Sequence, residues 1–304
     1  MSIALTGATG FVGQAVLDEA ERRGLLVRAL TRRPQAARAG IEWIAGDLTD
    51  EAALAELVNG CDAVVHVAGL TNATDPAAFT AAIVTGTAAL IAAAKAAKVK
   101  RFVFVSSLAA REPALSAYGA SKLEAEKLVE ASGLDWTIVR PPGVYGPRDV
   151  DYFEMFRSAK LGVLPLPPRG ASSIIHVEDL ARLLLELIDA PPALVRHRTF
   201  EPDDGREGGW SHSELAQAIA RAVGRKRVLA PHLPKSLMLL GARIDGALRG
   251  DKARLTPDRV GYMAHPNWVA RSDRAVSPHV WEPRISGPEG LALTAAWYRE
   301  QGWL

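Results

Sequence analysis

One cysteine, Cys61, stands in a chain of 304 residues, which excludes an internal disulfide framework and suits a reducing compartment, so the cytoplasm is expected. Neither sign of charge is in surplus. The chain has 36 Lys and Arg against 34 Asp and Glu, a net charge of +2, spread along its length apart from short pairs, so nucleic acid is not an expected partner. The seven histidines, among them His66, His176 and His265, show no metal-ligand spacing, and no GxSxG elbow nominates a hydrolase. No charged and then apolar leader is expected, since the first strand starts at about residue 2. A transmembrane span is not expected either. The stretch 237–242 is interrupted at Arg243 and Asp245, which predicts an amphipathic helix of a smaller lobe and no membrane span. Repeats and low-complexity tracts are absent, and the abundant alanine is helix-forming composition.

What is present is a core and a pattern. With 48% hydrophobic residues, the chain can build one large α/β domain carrying a smaller lobe, or two small domains. Thr6-Gly7-Ala8-Thr9-Gly10-Phe11-Val12-Gly13 places three glycines between a strand at 3–6 and an amphipathic helix at 12–23 closed by Gly24. Glycine permits the sharp turn and the close approach of backbone to a pyrophosphate, whose charge the helix N-terminus stabilises. Apolar runs of strand length at 26–31, 63–68, 102–106 and 137–139 alternate with helices, one capped by Thr49 and ended by Asn59-Gly60, others over 81–97 and 118–131. Continuous apolar strands separated by helices predict a doubly wound parallel sheet with ligands at its carboxyl edge. A Rossmann domain is expected over 1–150 and 174–200, with 174–177 and 198–200 as late strands. The mainly helical substrate lobe takes 151–173 and 201–304, with helices at 213–223, 236–248 and 288–300.

The second strand ends in Thr31-Arg32-Arg33-Pro34 without a carboxylate at its tip. Two guanidiniums there can pair with a 2'-phosphate, which favours NADP(H) over NAD(H); a solvated basic turn is the alternative. Asp47 and Leu48 suit the adenine, as acceptor and apolar contact, and Asp47 also suits a plain turn.

Ser106-Ser107 end a strand, and Tyr118 and Lys122 share one face at the start of the next helix. Hydride addition to a carbonyl creates an alkoxide that a tyrosine can protonate. A lysine one turn away eases that proton transfer, and a serine orients the carbonyl. In isolation, a Tyr and Lys at this spacing also make an ordinary surface pair.

With these motifs the chain resembles the extended short-chain dehydrogenase/reductases, the group that holds epimerases, dehydratases and related reductases. The likeness runs through TGATGFVG at 6–13, GDL at 46–48, HVAG at 66–69, VSS at 105–107, YGASK at 118–122, RPPGVYGP at 140–147 and IHVEDLA at 175–181. It implies Ser107, Tyr118 and Lys122 as the catalytic set, with Ser106 as the substitute if the register slips by one. It also implies that Thr6, Gly7, Thr9, Gly10, Phe11, Val12 and Gly13, backbone at Val67, Ala68 and Gly69, and Pro142, Gly143 and Val144 line the dinucleotide. Three departures narrow the reading. Gly143 stands where sugar-nucleotide enzymes often carry asparagine; Leu108-Ala109 follow Ser107 in place of the dehydratase Asp-Glu pair; and 83–87 reads IVTGT where NVxGT is usual.

The expected activity is an NADP(H)-dependent oxidoreductase interconverting a carbonyl and a secondary alcohol on a small or medium-sized substrate. An NAD(P)-dependent epimerase and a non-catalytic dinucleotide-binding sensor or assembly protein are the alternatives. The alanine faces of 81–97 and 118–131 also permit a homodimer.

Overall fold

A strand that is apolar on both sides fits only in a sheet covered from both faces, and the first, β1 (Ser2–Thr6), is buried from Ile3 to Thr6. In the computed structural model, which describes residues 1–304, there follow α1 (Phe11–Arg22), β2 (Leu26–Thr31), β3 (Ile41–Ala45), α2 (Glu51–Val58) and β4 (Ala63–His66). Next comes one helical run: α3 (Pro76–Phe79), a π-helical stretch at Thr80–Thr85, and α4 (Gly86–Ala96). After it lie β5 (Arg101–Val105), α5 (Ala117–Glu130), β6 (Trp136–Val139), β7 (Gly143–Tyr145), α6 (Asp151–Leu161), β8 (Ala171–Ser172) and β9 (Ile174–His176). The chain continues through α7 (Val177–Asp189), α8 (Pro192–Val195), β10 (Arg198–Phe200), β11 (Trp210–Ser211) and α9 (His212–Ala222). It closes with α10 (Lys235–Arg249), α11 (Pro257–Met263), β12 (Asn267–Trp268) and α12 (Gly287–Glu300).

Two compact units result, the first made of Met1–Arg140, Leu180–Phe200 and Val276–Trp281. Its seven strands pair in the order β3-β2-β1-β4-β5-β6-β10, every pair parallel, which is the doubly wound sheet expected from the alternating pattern. Strand order reverses between β1 and β4, and in open sheets of this kind the crevice outside the carboxyl ends at that point receives the ligand.

Two local expectations change. Thr49 does not cap α2: its N–H and hydroxyl both donate to the Asp47 carboxylate, at 2.8 and 2.6 Å. The cap passes to Asp50, which accepts from Ala53 N–H at 3.0 Å. The helix expected at 81–97 instead begins at Pro76, behind an Asp75 cap, and runs 21 residues to Ala96. By length and composition alone that run could cross a membrane, because the π-helical stretch fuses pieces that look short in sequence. Phe79, Ile83, Leu90, Ile91 and Ala94 are buried along it, the arrangement of a helix layered into a core.

The second unit comprises Pro141–Asp179, Glu201–Ala275 and Glu282–Leu304. Its core gathers Tyr145, Phe156, Leu166, Trp210, Ile219, Leu291 and Tyr298, while Met238, Ala242 and Val260 form a separate small cluster between α10 and α11. From sequence, 141–150 and 174–179 go with the sheet domain; by contact they fall in this unit. The reason is that β7 pairs with β9 in a two-stranded parallel sheet of its own. A second small sheet, β11-β8-β12, adds strands to a lobe expected to be mainly helical.

Candidate active site

The turn after β1 is built for close approach. Gly7 has φ +73°, and a Cβ there would meet Ala68 N at 2.6 Å, so the loop after β4 presses directly on it. A Cβ on Gly13 would overlap the Gly7 carbonyl, which draws the start of α1 against the turn. Gly10 caps α1 without a side-chain bond, and no acidic residue stands in its first turn. Unpaired first-turn amides and the positive helix end therefore face the space beside exposed Thr9 and Gly10, which fits a pyrophosphate. Phe11 and Val12 are half-buried on the first turn.

At the tip of β2 the Thr31 hydroxyl donates to Arg33 O at 2.7 Å and accepts from Arg33 N–H, fixing the turn that carries exposed Arg32 and Arg33. A carboxylate does stand near this tip, contrary to the sequence expectation. Thr31 is in register with Ala45 of β3, so the following turn brings the Asp47 carboxylate within the influence of the Arg32 charge. The bonds from Thr49, helped by the Arg32 charge, hold the Asp47 carboxyl below its usual range. Leu48 lies across Gly86, whose Cβ would come within 2.7 Å of Leu48 Cδ1, so much of this side chain packs on α4.

Tyr118 and Lys122 lie one turn apart on α5, both buried, and the Tyr118 ring meets Phe79 at 5.9 Å between centroids. Lys122 Nζ donates to Val105 O at 2.9 Å and sits 5.2 Å from the centre of the Phe104 ring. It also lies 3.2 Å from where a Gly69 Cβ would be, which places the ammonium beside the loop after β4. Burial pulls its pKa down to about 8, against the opposing charge of Glu126. Ser107 caps a short 3-10 turn, accepting from Ala109 N–H at 3.2 Å. A Cβ on Gly119 would come 2.6 Å from Ala109 O, so glycine is what lets α5 seat against the turn carrying Ser107. Ser106 is engaged on the other side of the strand end. Its hydroxyl donates to buried Glu126, which Arg140 clamps through both oxygens, with Nε to Oε1 at 2.8 Å.

Behind this group His66 is fully buried, bonded through Nδ1 to Thr6 Oγ1 at 2.6 Å and through Nε2 to Thr87 Oγ1 at 2.9 Å. Thr87 donates to Ile83 O, so it must accept from His66 Nε2–H, and Nδ1 then accepts from Thr6. Thr6 in turn accepts from Ala68 N–H at 3.2 Å. Burial, with the Lys122 charge adding to it, lowers the His66 pKa to about 3, so the ring is neutral. Pro142, Gly143 and Val144 lie in the second unit, the latter two on β7. A Cβ at 143 would overlap the Tyr152 hydroxyl, so any side chain there would need Tyr152 to move.

A profile of the NAD(P)H-binding family matches residues 7–191. The chain is 34% identical to the ceramide reductase of Caulobacter vibrioides, over 99% of this chain and 96% of the relative. The chain belongs to the extended short-chain dehydrogenase/reductases. A second member, the 4-hydroxy-2-methyl-3-oxo-4-farnesyl-3,4-dihydroquinoline-1-oxide ketoreductase of Stigmatella aurantiaca, is 36% identical over 86% of this chain and 92% of its own. Among solved structures, MoeE5 in complex with UDP-glucose and NAD shares the fold, with a TM-score of 0.75 and 24% identity over 99% of each chain. As a member of this family the chain is an NAD(P)-dependent oxidoreductase that takes a nicotinamide dinucleotide. Sequence reasoning missed Glu126 and the role of His66. The 118/122/126 spacing on one helix face was the available signal for Glu126.

Proposed function

We propose that this chain is an NADP(H)-dependent reductase of a ketone carried on an apolar molecule, working through Ser107, Tyr118 and Lys122. The observation that carries it is the buried pairing of Tyr118 and Lys122 one turn apart on α5. Thr6, Gly7, Thr9, Gly10, Phe11, Val12 and Gly13 would hold the pyrophosphate, and Arg32 and Arg33 the 2'-phosphate. Asp47 and Leu48 would meet the adenosine, and Val67, Ala68, Gly69, Pro142, Gly143 and Val144 the nicotinamide end. The bound dinucleotide supplies or accepts the hydride.

Ser107 Oγ donates to the substrate oxygen and orients the carbonyl. Tyr118 gives its phenolic proton to that oxygen as the alkoxide forms. Lys122 favours the resulting phenolate through its charge and can hold the ribose. The apolar carrier is supported by the names of two relatives, which act on a ceramide and on a farnesylated ring. A cytoplasmic location and a homodimer are part of the same proposal.

The test is NADPH oxidation with a panel of ketones that includes a ceramide bearing a ketone and a small water-soluble ketone. Tyr118→Phe should lower turnover roughly 10²- to 10⁴-fold with dinucleotide affinity retained. Full activity in that variant removes Tyr118 from the mechanism. Purified protein that retains oxidised dinucleotide and turns over without added reductant would instead support an epimerase.

A further inference from the structure

Lys122 and Glu126 stand one turn apart on α5, only 4 and 1% exposed, and Arg140 reaches Glu126 from the end of β6. A charge taken out of water is costly unless an opposite charge and hydrogen bonds answer it. Here two cations share one carboxylate.

That carboxylate is fixed by its neighbours. Arg140 grips both oxygens, and the Ser106 hydroxyl donates to Oε1. Val105 and Val139 are in register, and Ser106 N–H donates to Val139 O at 2.7 Å, so Glu126 bridges the carboxyl ends of β5 and β6. Lys122 Nζ donates to Val105 O, the carbonyl of the peptide that leads into Ser106. A closed ring therefore runs from Lys122 to Val105, through that peptide to Ser106, across to Glu126 and back along one turn of α5. Ser107 is the next residue after the ring.

Among the elements packed around the Lys122 amine, β4 presents neutral His66, β5 the Phe104 ring, the π-helical stretch Ile83, and α5 itself Tyr118. The turns between Ser107 and Tyr118 carry half-buried Arg111 and exposed Glu112. Glu126 is the acid whose charge acts on Lys122.

We propose that Glu126 is a positioning residue for Lys122, holding the buried amine as an ammonium one turn from Tyr118, and that Ser106 and Arg140 serve to hold Glu126. The assignment rests on the Tyr118 and Lys122 chemistry proposed above, but the state of the amine can be read without it. A carboxylate that merely tied β5, β6 and α5 together would cost stability on removal and leave the titration of Lys122 where it is.

The experiment is NMR of the full chain, free of dinucleotide and labelled with 13C-lysine, with Lys122→Met assigning the Lys122 Cε signal. It is paired with kcat/KM for ketone reduction across the same pH range. In Glu126→Gln the Lys122 signal should titrate about one pH unit or more below its wild-type midpoint, and the ratio of kcat/KM at pH 6 to that at pH 8 should rise about fivefold. Glu126→Asp keeps the charge and should recover at least about half of the shift. Glu126→Gln with Arg140→Gln removes the guanidinium left unanswered, so it carries the test if the single variant does not fold, and its Lys122 midpoint should fall likewise. The proposal is overturned if the midpoint in the glutamine variants matches wild type, or if Glu126→Asp shifts it as far as Glu126→Gln. A midpoint that moves while the kcat/KM profile does not would uphold the pairing of Glu126 with Lys122 and sink the reaction assigned to Lys122, so the two failures are told apart.

Discussion

Thr6 and His66 stand opposite one another in register at the carboxyl ends of β1 and β4, joined by a hydrogen bond of 2.6 Å from Oγ1 to Nδ1. That bond is the middle of a one-way series from Ala68 N–H through Thr6, His66 and Thr87 to Ile83 O. It ties the loop beside the glycine turn to the π-helical stretch, and it works only while the imidazole is neutral.

A histidine whose folded pKa lies at about 3 binds its proton more weakly folded than unfolded, so its contribution to stability is present above the unfolded value of about 6.5 and is lost as pH falls toward 3. Within that window wild-type protein should lose stability relative to His66→Gln by about 1.4 kcal/mol per pH unit. Urea midpoints of the two proteins at several pH values check this; parallel curves would show that His66 is not held neutral.

Lys122 titrates near 8 before ligands bind, because its ammonium is desolvated. The charge that favours the Tyr118 phenolate is therefore present below about 8 and disappears above it. The pH profile of kcat/KM for ketone reduction should fall on the alkaline side with an apparent pKa near this value. Lys122→Met should lower kcat by roughly 10²-fold and remove that limb.

Arg32 and Arg33 are exposed at the tip of β2, with Asp47 nearby to draw on the Arg32 charge. Replacing both with alanine should lower kcat/KM for NADPH by about 10- to 100-fold, with NADH little affected. Steady-state kinetics with both dinucleotides give the answer. An equal loss for the two would assign the arginines to the fold instead of the 2'-phosphate.

Gly119→Ala would drive a methyl into the Ala109 carbonyl, and the turn carrying Ser107 would have to move. The expected result is a cost of about 1–3 kcal/mol in stability together with a larger loss of kcat than of dinucleotide affinity. Calorimetry, turnover and NADPH titration on the one variant separate these effects.

The glycine turn, the parallel sheet and the Tyr118 and Lys122 spacing were legible because each is a local pattern with a local physical cause. The influence of the Arg32 charge on Asp47 was not, since it depends on the pairing of β2 with β3. That Ser106 turns toward Glu126 and Arg140 was not legible either, since it depends on how β5 and α5 pack. On α10 the periodicity was visible, yet a period says nothing about which side faces inward; Met238 and Ala242 take that side, and the larger stripe is left outside.

The π-helical stretch Thr80–Thr85 sets the phase between the two ends of its helical run. Phe79, against the Tyr118 ring, precedes it, and Thr87, bonded to His66, follows it. Ordinary α-helix advances about 100° per residue, so a chain shorter by one residue between them would turn one of these side chains roughly that far from its partner. The length of this segment is thus a gauge: it lets one rod of helix address the tyrosine and the histidine together, and single-residue indels there should be tolerated less well than substitutions.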